Sequence, residues 1–131
     1  MSAVERARGL IGTRFRAQGR DAATGIDCVG LVLIAHRLPG AAVARDYALR
    51  GVLREVIETG LEQWFRRVPL RRARAGDVVL LQVSDDVLHL AISSEVGLIH
   101  ADLKHGVVER PGTAPWPVIG AYRRRVRSRK E

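Results

Sequence analysis

Cys28 is the one cysteine of this 131-residue chain, and it sits in Thr24-Gly25-Ile26-Asp27-Cys28-Val29-Gly30-Leu31-Val32. A glycine-bearing turn runs there into a dense apolar stretch. If that stretch is helical, the thiol lies at the helix N-terminus, where backbone N–H groups and the helix dipole favour thiolate over thiol. A thiolate is a nucleophile, so this placement describes a reactive cysteine. His89 and His100 follow far downstream in strand-like segments. A nucleophile, a base and a group that orients the base are the parts acyl transfer requires. Cysteine first and histidine later is also the chain order of papain-like cysteine peptidases.

The residues around the histidines support that assignment. In Val87-Leu88-His89-Leu90-Ala91-Ile92, strand alternation puts Leu88, Leu90 and Ile92 on one face and His89 on the other with Val87 and Ala91. His100 comes eleven residues later, across a turn containing Ser93, Ser94 and Gly97. If the two strands pair as a hairpin, the histidines become neighbours on one face. His36 and His105 are assigned ordinary structural or surface positions. No metal is expected, because His89, His100, His105 and Cys28 match no structural-zinc spacing, and no cofactor is implied.

The elements that must position these groups follow from periodicity. Ala3 to Ile11 reads as a short helix, and Thr13 to Gly25 as a loop. Cys28 to Leu38 has no clean period, but Asp27 is a fair N-cap and Pro39-Gly40 a stop, so it is read as a helix. Gly51 to Arg66 is the clearest amphipathic helix, with Val52, Leu53, Val56, Ile57, Leu61, Trp64 and Phe65 at helical spacing. After Pro69 the period changes to two. Five strands are predicted, over Val78–Val83, Val87–Ile92, Gly97–Ala101, Gly106–Glu109 and Val118–Arg124. Helices first and strands after them indicate an α+β domain with the helices on one side of an antiparallel sheet.

Composition bounds the rest. The chain is the size of one domain, read here as 1–122 with a basic tail over 123–131. Net charge is +8, of which the tail supplies +5. Basic clusters admit a nucleic-acid-binding module as an alternative class. Against it, only 5% of residues are aromatic and no nucleic-acid module motif is present. The N-terminus does not resemble a signal peptide, and no stretch approaches the roughly 18 apolar residues of a membrane span. The expected location is therefore the cytoplasm, or delivery with a phage-like particle.

With these residues in place, the sequence resembles the NlpC-type cell-wall peptidases, a papain-like family. The resemblance runs through Leu10-Ile11-Gly12-Thr13-Arg14-Phe15, Gly25 to Val32, Gly76-Asp77-Val78-Val79-Leu80, His89 to Ile92, Leu98-Ile99-His100-Ala101 and Gly106-Val107-Val108-Glu109. It implies a half-papain fold, with the cysteine's helix packed on a five-to-six-stranded antiparallel sheet. It implies cleavage of peptidoglycan stem peptides at a γ-D-glutamyl–diamino acid bond, with Cys28 as nucleophile, His89 as base and His100 as the third member. It makes Asp27 the acid that helps hold the substrate's free amine. Phe15 and Val29 stand where relatives usually carry Tyr and Ser, so two hydroxyls that face the substrate in relatives are missing here. The compact domain and the apolar residue after the cysteine resemble the phage-tail and gene-transfer-agent branch, whose partners would be phage-tail-like particle proteins. An inactive or amidase-like relative that only binds peptide is the alternative within the family.

Overall fold

The computed structural model describes residues 1–42 and 54–126. Helix α1 (Ala3–Arg8) opens with a reciprocal capping box, in which the Ser2 hydroxyl accepts from the Glu5 N–H and the Glu5 carboxylate accepts from the Ser2 N–H. It is shorter than the periodicity predicted. Two short strands, β1 (Arg20–Asp21) and β2 (Gly25–Ile26), pair across the loop that leads to helix α2 (Cys28–Ala35). Seven of the eight residues of α2 are buried, which explains its lack of period. An amphipathic stripe exists only where one side of a helix meets water. Here α1, the loop and the sheet enclose it.

Helix α3 (Arg54–Glu62) corrects the helix predicted over Gly51 to Arg66. Residues 51–53 lie outside the described residues. At the other end the chain leaves the helix before Phe65 and forms strand β3 (Phe65–Val68). Phe65 and Val68 are buried and Arg66 and Arg67 exposed, and Phe65 had fitted the helical spacing of the preceding segment as well. Strands β4 (Val78–Ser84), β5 (Val87–Ser93), β6 (Gly97–Asp102), β7 (Gly106–Pro111) and β8 (Val118–Arg124) complete a six-stranded antiparallel sheet in the order β3-β8-β4-β5-β6-β7. The class is therefore α+β, built on this six-stranded antiparallel sheet. The residues predicted as a tail begin inside β8. Arg123 makes a two-pronged ion pair at 2.9 Å with the buried Asp77 carboxylate, and Arg125 Nε donates to the Glu62 carbonyl.

The sheet carries two apolar faces. One packs Leu80, Leu88, Leu90, Ile92, Ile99 and Tyr122 against α1 and α2. The other gathers Val79, Leu81, Ala91, Leu98 and Ala121 under Trp116, from the loop before β8. Helix α1 is tied to the far strands by Arg8, which bridges Glu95 at 2.5 Å and Glu109 at 2.9 Å.

Candidate functional site

The N-terminus of α2 is fixed by Asp27. One carboxylate oxygen accepts the Gly30 N–H at 2.9 Å, capping the helix, and the other accepts the Gln18 N–H at 2.8 Å, pinning the preceding loop across it. The loop passes so close that a Cβ on Gly30 would run into the Gly19 carbonyl oxygen. That is the physical content of the Asp-Cys-x-Gly run, since the carboxylate holds the loop and the glycine lets it approach. Asp27 is buried, so its first task is structural.

Cys28 follows as the first helical residue, only 3% exposed. Burial, and then the neighbouring Asp27 charge, push its thiol up to about 12, while the backbone N–H groups of Leu90, Val29 and Cys28 itself act in the other direction. The helix N-terminus thus does not leave a thiolate in the resting state, contrary to the expectation from position alone. Desolvation outweighs the dipole at a fully covered sulfur.

The Leu90 N–H can reach the thiol because the sheet opens there. Strands β5 and β6 pair only at Ile92↔Ile99 and Ser93↔Leu98, although both continue. Beyond those pairs the ladder ends, and His89 and His100 face each other across the gap. His89 Nε2 lies 3.0 Å from His100 Nδ1, with the rings edge to face at 86°. Both stand on the sheet face opposite α2, whereas the thiol meets the sheet at the Leu90 N–H, one residue from His89. No hydrogen bond joins Cys28 to His89 among the described residues. Burial pushes His89 down to about 4, with the His100 charge as a smaller cause. His100 is also lowered, by burial and then by the Arg110 charge. Both rings are neutral near pH 7.

Two residues of this site were not singled out in the sequence. Trp116 covers both imidazoles, its ring 5.7 Å from His89 and 5.5 Å from His100, edge to face with each. Arg110 Nε donates to His100 Nε2 at 2.8 Å, and its Nη2 lies 3.7 Å from Asp102 Oδ1. The signal for Arg110 was countable. The β6–β7 register pairs His100 with Val108 and Leu98 with Arg110, so Arg110 and His100 share a face one diagonal apart. Trp116 lies in a loop, where no register places it.

The remaining sequence candidates lie elsewhere. His105 is exposed and pairs with Asp102 at 2.8 Å. His36 is buried under the other sheet face and donates from Nε2 to the Gly76 carbonyl at 2.9 Å. Phe15 bridges Ile26 in the loop and packs partly buried on the main core. Val29 is buried and lines an apolar cavity of about 190 Å³ with Leu33, Ile57, Trp64 and Leu90. Among the described residues no group of three potential metal ligands is found, and no helix is long and apolar enough to cross a membrane.

This architecture is that of the NlpC/p60 domains. The chain superposes on the NlpC/p60 domain of the peptidoglycan hydrolase SagA with a TM-score of 0.59 and 23% identity, over 82% of this chain and 84% of that one. It superposes equally well, at 0.59 and 20% identity, on a lipoprotein-like NLP/P60 family protein from Staphylococcus aureus subsp. aureus Mu50. There it covers 92% of its own length but 39% of the other chain, so it spans about two fifths of that protein. No family model and no curated protein matches the sequence.

Proposed function

We propose that this protein is a thiol hydrolase that cleaves peptidoglycan stem peptides, at a γ-D-glutamyl–diamino acid bond, through Cys28, His89 and His100. The observation that carries the reading is the 3.0 Å contact between the two imidazoles at the opening of the sheet, beside a cysteine at the start of the central helix. The NlpC/p60 fold supports the substrate class, since one neighbour with that fold is a peptidoglycan hydrolase.

The chemistry follows from which atoms are free. His89 Nε2 is engaged by His100, so Nδ1 is the nitrogen that takes the thiol proton. The thiolate then attacks the scissile carbonyl, and the backbone N–H of Cys28, at the start of the helix, is the donor assigned to the developing oxyanion. His89 returns its proton to the leaving amine, a thioester remains on Cys28, and water activated by His89 releases it. Because thiol and imidazole both rest neutral, the proton moves only when substrate is present to use the thiolate. We further propose delivery with a phage-tail-like particle as the route to the wall.

The test is digestion of L-Ala-γ-D-Glu-diaminopimelate muropeptides, with products read by mass spectrometry. Wild type should cleave, Cys28→Ala and His89→Ala should be inactive, and His100→Ala should retain partial activity. Tight peptide binding without any turnover would instead assign the site to recognition. Turnover that survives in Cys28→Ala would refute the mechanism.

A further inference from the structure

The hydrogen-bond chain that ends on His89 has a direction, and Arg110 sets it. A guanidinium only donates. Because Arg110 Nε reaches His100 Nε2 at 2.8 Å, that nitrogen must present its lone pair. His100 is neutral beside this cation, so its single proton lies on Nδ1. Nδ1 faces His89 Nε2 at 3.0 Å, which makes His100 the donor and His89 Nε2 the acceptor. His89 is neutral too, so its own proton lies on Nδ1. That is the nitrogen left for Cys28, and in this tautomer it has no lone pair to offer.

We propose that Arg110 is a positioning residue that latches the His89–His100 pair in the tautomer unable to accept the Cys28 proton, so that base catalysis requires Arg110 to leave His100. This rests on the proposed role of Cys28 and His89, and it adds a control on that pair. Release conserves protons. His89 gives its Nδ1 proton to water, the shared proton crosses from His100 Nδ1 to His89 Nε2, and His100 takes one proton from water at Nε2. Both rings stay neutral, and His89 Nδ1 gains the free lone pair. The geometry permits the departure. The Arg110 side chain is 43% exposed on the edge strand β7, and the Asp102 carboxylate stands 3.7 Å from its Nη2 as an alternative partner. Among the described residues neither Trp116 nor Asp102, the other groups around the pair, hydrogen-bonds a ring nitrogen of His89 or His100.

Imidazole nitrogen NMR on uniformly ¹⁵N-labelled protein at pH 7 reads the tautomers directly. Wild type should show protonated, pyrrole-type Nδ1 and unprotonated, pyridine-type Nε2 on both His89 and His100. In Arg110→Met, which keeps the stem and removes the donors, both rings should convert toward protonated Nε2. The second readout is carbamidomethylation of Cys28 by iodoacetamide at pH 7. Arg110→Met should react faster, by about 10²-fold if the freed lone pair acts as a positioned general base. A role for Arg110 as a mere positive charge predicts the reverse, because losing a cation near a thiol disfavours thiolate. Wild-type His89 already unprotonated on Nδ1, tautomers unchanged in Arg110→Met, or alkylation equal or slower would each overturn the proposal. The wild-type spectrum decides the matter even if the variant does not fold. Neither readout needs peptide hydrolysis, so failure of the latch and failure of the proposed function are separable.

Discussion

Acid should unfold this protein early, and His36 should account for about half of the effect. His36 is 9% exposed, packed edge to face on Phe65 at 5.0 Å, with Nε2 donating to the Gly76 carbonyl. Burial pushes it down to about 4 from 6.5, and His89 behaves alike for the same reason. The unfolded chain therefore binds more protons than the folded one between about pH 6.5 and 4. Stability from these groups is fully present above the unfolded value and is lost as pH falls toward the folded value. A shift of this size at 1.36 kcal/mol per pH unit corresponds to roughly 3 kcal/mol for each histidine. Two such losses amount to about half of the roughly 5–15 kcal/mol that holds a domain of this size together.

The perturbation is His36→Gln, whose neutral amide can still donate to the Gly76 carbonyl but does not titrate in this range. Urea unfolding at pH steps from 7 to 4 measures the slope. Wild type should lose roughly 6 kcal/mol across the range from the two histidines, and His36→Gln about half of that. Glu95, Asp102 and Glu109 are lowered by their hydrogen-bond and ion-pair partners. None of them contacts His36, so their contribution is common to both proteins and cancels in the difference between the two slopes. A wild type equally stable at pH 7 and pH 4, or a variant with the wild-type slope, would show that His36 is not held neutral by its surroundings.

Arg123→Leu should destabilise by about 3 kcal/mol, because it strands the Asp77 carboxylate, 3% exposed, without its partner; thermal melts against wild type test this. For the same reason, truncation after Tyr122 should unfold the protein, read as loss of its circular dichroism. Gly30→Ala should cost about 2 kcal/mol or more, measured by urea unfolding, since the new Cβ would displace the Gly19 carbonyl that packs on α2. Cys28 in the resting wild type should react with iodoacetamide at pH 7 far more slowly than a free thiol, and the rate should still be rising at pH 9. A plateau below pH 8 would mean an ion pair at rest.

What the sequence conveyed depended on whether one local rule or several competing ones acted on a segment. Strands β4 to β8 are short runs rich in Val, Ile and Leu set between turn signals, and each was legible to within a residue or two. Helix α2 has no stripe because it has no wet side, yet its start was legible because the Asp27 cap acts locally; its end falls at Ala35, short of the predicted Leu38, because Arg37 turns the chain at φ 56° before the Pro-Gly stop is reached. Strand β3 was not legible. Its four residues offer two buried positions, and one of them, Phe65, had already satisfied the helical spacing of the segment before it. An edge strand with exposed Arg66 and Arg67 carries little alternation to detect.

At the site, residue types and order pointed to the elements that carry Cys28, His89 and His100, but ionisation was beyond their reach. Position at a helix N-terminus suggests a low thiol value, whereas burial, a property of the whole fold, pushes it up. Asp27 shows the same split. Its type suits a free amine, but both its oxygens accept backbone N–H groups that build the α2 terminus. An approaching ammonium must therefore share a carboxylate already used for structure, and Asp27→Asn would disturb the Cys28 helix as well as any substrate contact. Arg110 completes the contrast. It is one of many arginines here, with no motif to mark it, and its importance lies in a register count across the β6–β7 hairpin. What makes it informative is that it can donate but never accept. That one constraint orients two hydrogen bonds and, on the proposal above, decides whether the His89 nitrogen left for the thiol carries a proton.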